Sequence, residues 1–258
     1  MNDWDPVHYG RYADERSRPY GDLVRRIAAD RPRRVVDLGC GSGELTASLS
    51  RIWPSAEIIG VDSSPAMIET ARTIRGVDDL RFLERDLREW RPDPGTDVLI
   101  SNAALQWVPD HRRLLPGFVD RLGPGGWIAF QVPGNFDEPS HVLLHELAGT
   151  APYAEHTGGL LRPSSAEPAD YLADLSALDC TVDVWETTYL HVLTGEHPVF
   201  TWISATAARP VLQALPDELR ETFETEYKER LREAYPEQSY GTVLPFRRIF
   251  VVGRRNGS

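Results

Sequence analysis

The chain has 258 residues with ordinary apolar content, room for one sizeable α/β domain with insertions or two small domains. A net charge of −11 argues against a general nucleic-acid or anionic-membrane binder, and two cysteines, Cys40 and Cys180, are too few for a disulfide framework or a four-ligand zinc site. The polar, aromatic opening from Met1 to Tyr20 does not read as a signal peptide and no apolar run approaches spanning length, so the expectation is a soluble cytoplasmic protein with no nucleic-acid or membrane partner.

From Tyr20 to Ala29 the spacing of Leu23, Val24 and Ile27 predicts an amphipathic helix ended by Pro32. Arg34 to Leu38 reads as a buried strand, closed by glycines at alternate positions, Gly39, Gly41 and Gly43, and followed at once by a helical pattern from Glu44 to Ile52. Such a turn lets a ligand approach the backbone with no Cβ in the way, and the next helix offers unpaired N–H groups. The order is G-x-G-x-G, not the G-x-G-x-x-G of dinucleotide sites, and no Lys-Ser/Thr pair follows as in a P-loop. Asp37 and Glu44 flank the turn; carboxylates there repel a pyrophosphate and suit a ligand with a positive centre.

Glu57 to Asp62 is a second strand, and Ser64-Pro65 starts a helix with an apolar stripe of Met67, Ile68, Ala71 and Ile74. Leu80 to Asp86 is a third strand, and Thr96 to Ala103 a fourth, leading into Gln106-Trp107-Val108-Pro109. A helix from Leu114 to Leu122 runs into Gly123-Pro124-Gly125-Gly126, read as a turn, and Trp127 to Val132 is a fifth strand. Strands alternating with helices predict right-handed crossovers, a parallel sheet and a ligand site at the carboxyl ends of the strands. Beyond Pro133 the pattern loosens: a helix from His141 to Ala148, a Gly-, Pro- and Ser-rich mobile loop or lid from Thr150 to Pro168, and a long strand from Thr181 to Leu193. Helices near Pro198 to Ala208 and Asp217 to Ala234 precede a last strand, Arg248 to Gly253.

Asp62, at the second strand end, is placed to accept the ribose hydroxyls of an adenosine, although it also reads as a helix N-terminal carboxylate before Ser63. Asp86 is placed to accept an adenine amino group beside the Leu87 N–H, or is a turn aspartate; Met67 covers an adenine face, or is core; Asn102 and Ala103 lie by the far end of such a ligand.

The glycine corner with Asp62, Asp86 and Asn102 at successive strand ends resembles the class I S-adenosylmethionine-dependent methyltransferases. Within that class, Trp4-Asp5-Pro6, Arg16-Ser17-Arg18-Pro19, the Leu105-Gln106-Trp107-Val108-Pro109 run, Glu138-Pro139-Ser140-His141 and Trp185-Glu186-Thr187-Thr188-Tyr189 make nearly the whole chain similar to the trans-aconitate methyltransferase family. Ser42 departs from the proline of many members and keeps the turn small. The resemblance implies a Rossmann-like seven-stranded, mostly parallel sheet with helices on both faces and an antiparallel last strand. The core would span about 21–133 with 179–193 and 246–255, under a largely helical cap from 1–20, 134–178 and 194–245. It implies S-adenosyl-L-methionine as cofactor, held by Asp37, Gly39, Cys40, Gly41, Gly43, Asp62, Ser63, Met67, Asp86, Leu87, Asn102, Ala103, Trp107 and Arg18. The implied acceptor is a small polycarboxylate, trans-aconitate, converted to a monomethyl ester.

A carboxylate is already ionised at pH 7, so the nucleophile needs no general base, and neither a catalytic triad nor a metal is expected. The remaining carboxylates call for Arg, His and aromatic partners: Tyr9, Tyr12, Arg18, His191, Trp202, Arg209 and Arg247 are the candidates. Rival readings are a methyltransferase on another small or carrier-bound acid, a catalytically silent cofactor-binding regulator and an NAD-dependent reductase.

Overall fold

The computed structural model describes residues 13–257. Seven strands form one sheet in the order β3-β2-β1-β4-β5-β7-β6. They are β1 (Arg34–Leu38), β2 (Glu57–Asp62), β3 (Leu80–Glu84), β4 (Thr96–Asn102), β5 (Leu122–Pro133), β6 (Cys180–Leu193) and β7 (Thr242–Arg255). The first five run parallel, β7 lies antiparallel to β5, and β6 is antiparallel to β7, so β7 alone is reversed. This is the expected mostly parallel sheet with an antiparallel last strand. Strand order reverses between β1 and β4, the place where an open α/β sheet leaves a crevice at its carboxyl ends.

The strand sequences explain their burial. Val35 and Val36 in β1, Ile58 and Ile59 in β2, and Val98, Leu99 and Ile100 in β4 are apolar on both faces and buried on both. One face packs Val36, Leu38, Leu99, Phe130, Ile249 and Val251 against Phe118, Tyr171 and Leu175. The opposite face packs Val35, Ile58, Ile100, Ala129, Phe250 and Val252 under Tyr20, Leu23, Val24 and Ile27. A third apolar cluster stands apart: Leu144, Leu147, Trp202, Ile203, Phe223, Tyr227 and Leu231 gather with Leu193, Leu244 and Phe246.

Several elements differ from the sequence reading. Helix α1 spans Ala13–Val24 and runs through Pro19, so it starts earlier and ends earlier than the Tyr20 to Ala29 helix expected from the spacing of Leu23, Val24 and Ile27. Its tail tightens, with the amides of Arg26 and Ile27 donating three residues back, so Ile27 is buried beyond the helix proper. Helix α2 is short (Glu44–Ser48) and continues as a 3₁₀ turn, Leu49–Arg51. Helix α3 covers Pro65–Ala71, with the Ser64 hydroxyl accepting from the Met67 amide, and α4 covers Leu115–Arg121. The Gly123–Gly126 turn lies inside β5: pairing passes from Thr96↔Leu122 to Val98↔Trp127, so those glycines form a bulge.

Helix α5 spans Pro139–Ala148. The loop read after it is pinned at its start. Helix α6 (Ala154–Thr157) forms there, the Thr157 hydroxyl donates to the Ala148 carbonyl at 2.7 Å, and the buried Tyr153 hydroxyl donates to Glu226 at 2.8 Å. Farther on, Ser164 N–H donates to the Gln106 carbonyl. Helix α7 (Pro168–Ser176) carries a capping box between Glu167 and Asp170. The helix read near Pro198 to Ala208 ends at Ser204 (α8, Pro198–Ser204), a further short helix α9 (Arg209–Ala214) follows it, and α10 fills Asp217–Ala234 as expected.

Candidate active site

The glycine corner is forced by contacts. Gly39, Gly41 and Gly43 have φ of 75°, 54° and 88°. A Cβ on Gly39 would lie 2.1 Å from the Ala104 Cβ, and one on Gly43 would lie 2.7 Å from the Phe82 ring. The turns after β1 and β4 therefore touch across the switch point, and no side chain fits between them. At Gly41 a Cβ would meet nothing within 4 Å, so the backbone there faces open space.

Asp62 ties this corner to β2. Its carboxylate accepts from the Gly41 amide and from the Ser64 amide, both at 2.9 Å. Burial raises its pKa, with the Ser64, Gly41 and Ser63 amides opposing. Asp37 lies beneath, 3% exposed. One of its oxygens accepts from the Thr46 hydroxyl at 2.6 Å; the other, Oδ1, is buried with no partner. Burial pushes its pKa up to about 6, and the negative charge of Asp62 adds to that. Helix α1 brings Tyr20 close to Asp37 and Cys40, and the buried Tyr20 hydroxyl also lacks a partner. An unsatisfied buried acceptor beside an open glycine backbone is suited to an ammonium or another cationic group.

The other predicted cofactor positions surround the corner. Ser63 is exposed, and Met67 and Leu87 are buried. Cys40 is half-buried, its thiol pushed well above the ordinary range by burial. Asp86 is held by the guanidinium and amide of Arg88, which keep its carboxyl below the usual range. Ala103 sits at φ 52°, a strained value for a residue with a side chain, at the end of β4. Trp107 is half-buried in the 3₁₀ turn that follows. Arg18 is exposed on α1 with its guanidinium 4.9 Å from the centre of the Tyr189 ring.

Across the sheet a polar row continues from Asn102. Its Oδ1 accepts from Gln131 at 2.7 Å, and Gln131 Oε1 accepts from the buried Arg248 at 3.3 Å. Arg248 also stacks 4.4 Å over Phe246. Its neighbour Arg247, a predicted acceptor ligand, faces elsewhere: it binds Glu186 at 2.6 Å and Glu167 at 2.8 Å. His191 stacks on the buried Trp202 at 4.7 Å, and Arg209 is half-buried at the start of α9. Tyr9 and Tyr12 lie outside the described residues.

The sequence reading missed Tyr20, Gln131, Arg248, Gln106 and Asn135. The last two are also buried with orphaned side-chain atoms, Gln106 Oε1 and both atoms of the Asn135 amide. Among the described residues the orphan-bearing side chains, Tyr20, Asp37, Gln106 and Asn135, lie on α1 over the glycine corner or at the carboxyl ends of β1, β4 and β5. Polarity inside an otherwise apolar stretch was the only available signal for them. Among the described residues no group of three or more His, Cys, Asp or Glu could hold a metal ion, and no helix is long and apolar enough to cross a membrane.

Residues 12–167 match a family model described as a methyltransferase domain. The trans-aconitate 2-methyltransferase of Streptomyces coelicolor is 50% identical, over 98% of this chain and 86% of its own length. That of Mycobacterium tuberculosis (strain H37Ra) is 48% identical, over 99% of this chain and 98% of its own length. That of Rhodococcus jostii is 50% identical, over 97% and 99%. Among solved structures, the YcgJ protein of Bacillus subtilis superposes with a TM-score of 0.61 at 19% identity, covering 94% of this chain and all of its own. A Haemonchus contortus N-methyltransferase bound to S-adenosylhomocysteine superposes at 0.56 and 13% identity, covering 93% of this chain and 52% of its own.

Proposed function

The chain belongs to the methyltransferase family, among the trans-aconitate 2-methyltransferases, and from that premise we propose that it transfers the methyl group of S-adenosylmethionine to one carboxylate of trans-aconitate, giving a monomethyl ester. The cofactor supplies an electrophilic methyl on a sulfonium. The residues present fit it: Asp37 offers an unpaired buried oxygen for a cationic group, and the open backbone at Gly41 admits a ligand without a clash. That orphaned carboxylate oxygen at the glycine corner is the observation that carries the reading. In this reading Asp37, Gly39, Cys40, Gly41, Gly43, Asp62, Ser63, Met67, Leu87, Asn102, Ala103 and Trp107 hold the cofactor, and Asp86 joins them only by releasing Arg88.

The acceptor oxygen is ionised at neutral pH, so the protein's work is alignment, removal of water and neutralisation of the carboxylates that do not react. Arg18, Arg209 and His191 are proposed for that neutralisation. Arg247 is already engaged by two glutamates. The core-and-cap division belongs to the same proposal, with one correction: 134–167 and 194–245 close over the strand ends and exclude water, in the cytoplasm, whereas α7 (Pro168–Ser176), expected in the cap, packs Tyr171 and Leu175 on the sheet face.

The test is methyl transfer from labelled S-adenosylmethionine to a panel of di- and tricarboxylates. A base-labile methyl ester formed on trans-aconitate is expected. Esterification of another acid with trans-aconitate untouched would overturn the acceptor and leave the reaction class intact.

A further inference from the structure

Asn135 is 1% exposed, and both polar atoms of its side chain lack a partner among the described residues. A buried amide with nothing to bind is costly, and loss of desolvation on this scale is repaid when a ligand arrives. The residue is also rigidly carried. Gly134, just before it, donates its amide to the Arg247 carbonyl at 2.9 Å, and Arg247 Nη1 donates back to the Gly134 carbonyl at 3.3 Å. A Cβ on Gly134 would press on Ile249 at 3.0 Å, so the chain lies tight against β7. The Asn135 carbonyl accepts from Glu138 in the turn that opens α5. Wobble of the backbone therefore does not explain the unpaired amide.

Its place points to the acceptor rather than the cofactor. Asn135 follows β5 by two residues, whereas the glycine corner follows β1, two strands away in the sheet. Pro133, the last residue of β5, pairs with Arg248, whose guanidinium binds Gln131 on the same strand. Asn135 thus follows the strand whose last residue pairs with Arg248, the cationic member of the polar row, and not the strand that carries Asp37. Phe136 packs edge-on against His141 at 5.4 Å, and burial lowers the His141 pKa to about 4, so that ring is neutral at pH 7 and adds no charge.

We infer that Asn135 is an acceptor-binding residue: its Nδ2 donates to a carboxylate of the polycarboxylate substrate that is not methylated, and its Oδ1 takes a water that the carboxylate carries in. The inference rests on the carboxyl-methylation reading. It explains why a polar side chain with no internal partner is kept at the end of β5.

Two variants test it, Asn135→Leu and Asn135→Asp, with KM for trans-aconitate, affinity for S-adenosylhomocysteine and melting temperature measured on each. Asn135→Leu should raise KM roughly tenfold to a hundredfold, the value of a hydrogen bond to a charged group, with cofactor affinity kept and melting temperature not lowered, because no protein partner is lost. Asn135→Asp should raise KM further, since a carboxylate of the same shape repels the substrate. Wild-type KM in both variants would overturn the inference. So would a fall in melting temperature and cofactor affinity that accompanies any loss of turnover, since that marks a structural role. A wild-type enzyme that leaves every polycarboxylate unmethylated overturns the parent reading and the inference with it; wild-type turnover with unaltered variants overturns the inference alone.

Discussion

The carboxylate of Asp62 accepts from the Gly41 amide at 2.9 Å, fastening the tip of β2 to the glycine turn of β1. The same side chain takes the Ser64 amide that leads into α3, so one residue fixes three segments of the corner. Asp62→Asn keeps one acceptor oxygen and turns an N–H₂ group toward a second donor. Cofactor affinity should fall by about 1.5–3 kcal/mol, the value of a hydrogen bond to a charged group. Calorimetry with S-adenosylhomocysteine measures it, and unchanged affinity would remove Asp62 from the site.

The glycines of the corner should separate into two behaviours. Gly39→Ala forces a Cβ to 2.1 Å from Ala104 and should disrupt the junction of β1 with β4, lowering stability and binding together. Gly41→Ala meets no atom within 4 Å, so its cost in stability is the left-handed strain alone, about 1–2 kcal/mol, while its new methyl intrudes on ligand space. Thermal melts beside binding isotherms distinguish the two, and equal melting temperatures would contradict the contact argument.

Cofactor affinity should depend on pH through Asp37. Its folded pKa, pushed up to about 6, lies above the unfolded value, so its contribution to stability is present at low pH and is lost as pH rises through about 6. At neutral pH the ionised, half-paired carboxylate therefore weakens the free protein, and a bound cation offsets that. Affinity for S-adenosylhomocysteine, whose ammonium supplies the cation, should rise between about pH 5 and 7 and then level off. Asn at this position should flatten the profile and raise the melting temperature of the free protein at pH 7. A wild-type profile with no slope would exclude Asp37 as the cation's partner.

Arg247 and the other acceptor candidates should behave differently. Arg247 bridges Glu186 on β6 and Glu167 at the cap of α7, and those side chains are 51% and 65% exposed. Solvent screening holds the worth of the bridge to about 1 kcal/mol. Arg247→Ala should lower the melting temperature slightly and, because its Nη1 also holds the Gly134 carbonyl beside Asn135, raise KM for trans-aconitate by less than Asn135→Leu does. Arg18→Ala, Arg209→Ala and His191→Ala should raise KM with cofactor affinity retained. Wild-type kinetics in all three would move the acceptor pocket elsewhere.

The strand ends were readable because β1, β2 and β4 are apolar runs buried on both faces, each closing on a polar or glycine residue. The alternation of Arg247 and Arg248 was not. Neighbours on a strand face opposite ways, and only the pairing of β7 with β5 shows that Arg248 turns toward Gln131 while Arg247 turns to the glutamates. Asn135 and Gln106 were equally silent, because their importance lies in partners they lack. The spacing of Leu23, Val24 and Ile27 showed a buried face but not that the helix carrying it begins at Ala13 and ends at Val24. The glycines at 123–126 signalled a break in regularity, but not that pairing resumes on the same strand.

The chain leaves the sheet at Leu193 and re-enters it at Thr242, and these two residues are register partners. The run 194–241 is therefore a detour whose two mouths are already stitched together. Loop-closure entropy grows slowly, by about 0.6 kcal/mol for each doubling of length, so its length and contents can be rewritten with little change to that entropy. Of the acceptor partners proposed above, that detour carries Arg209 alone, while Arg18, His191 and Asn135 stand outside it, so a transplant of the detour between relatives separates the contribution of Arg209 and its neighbours from theirs.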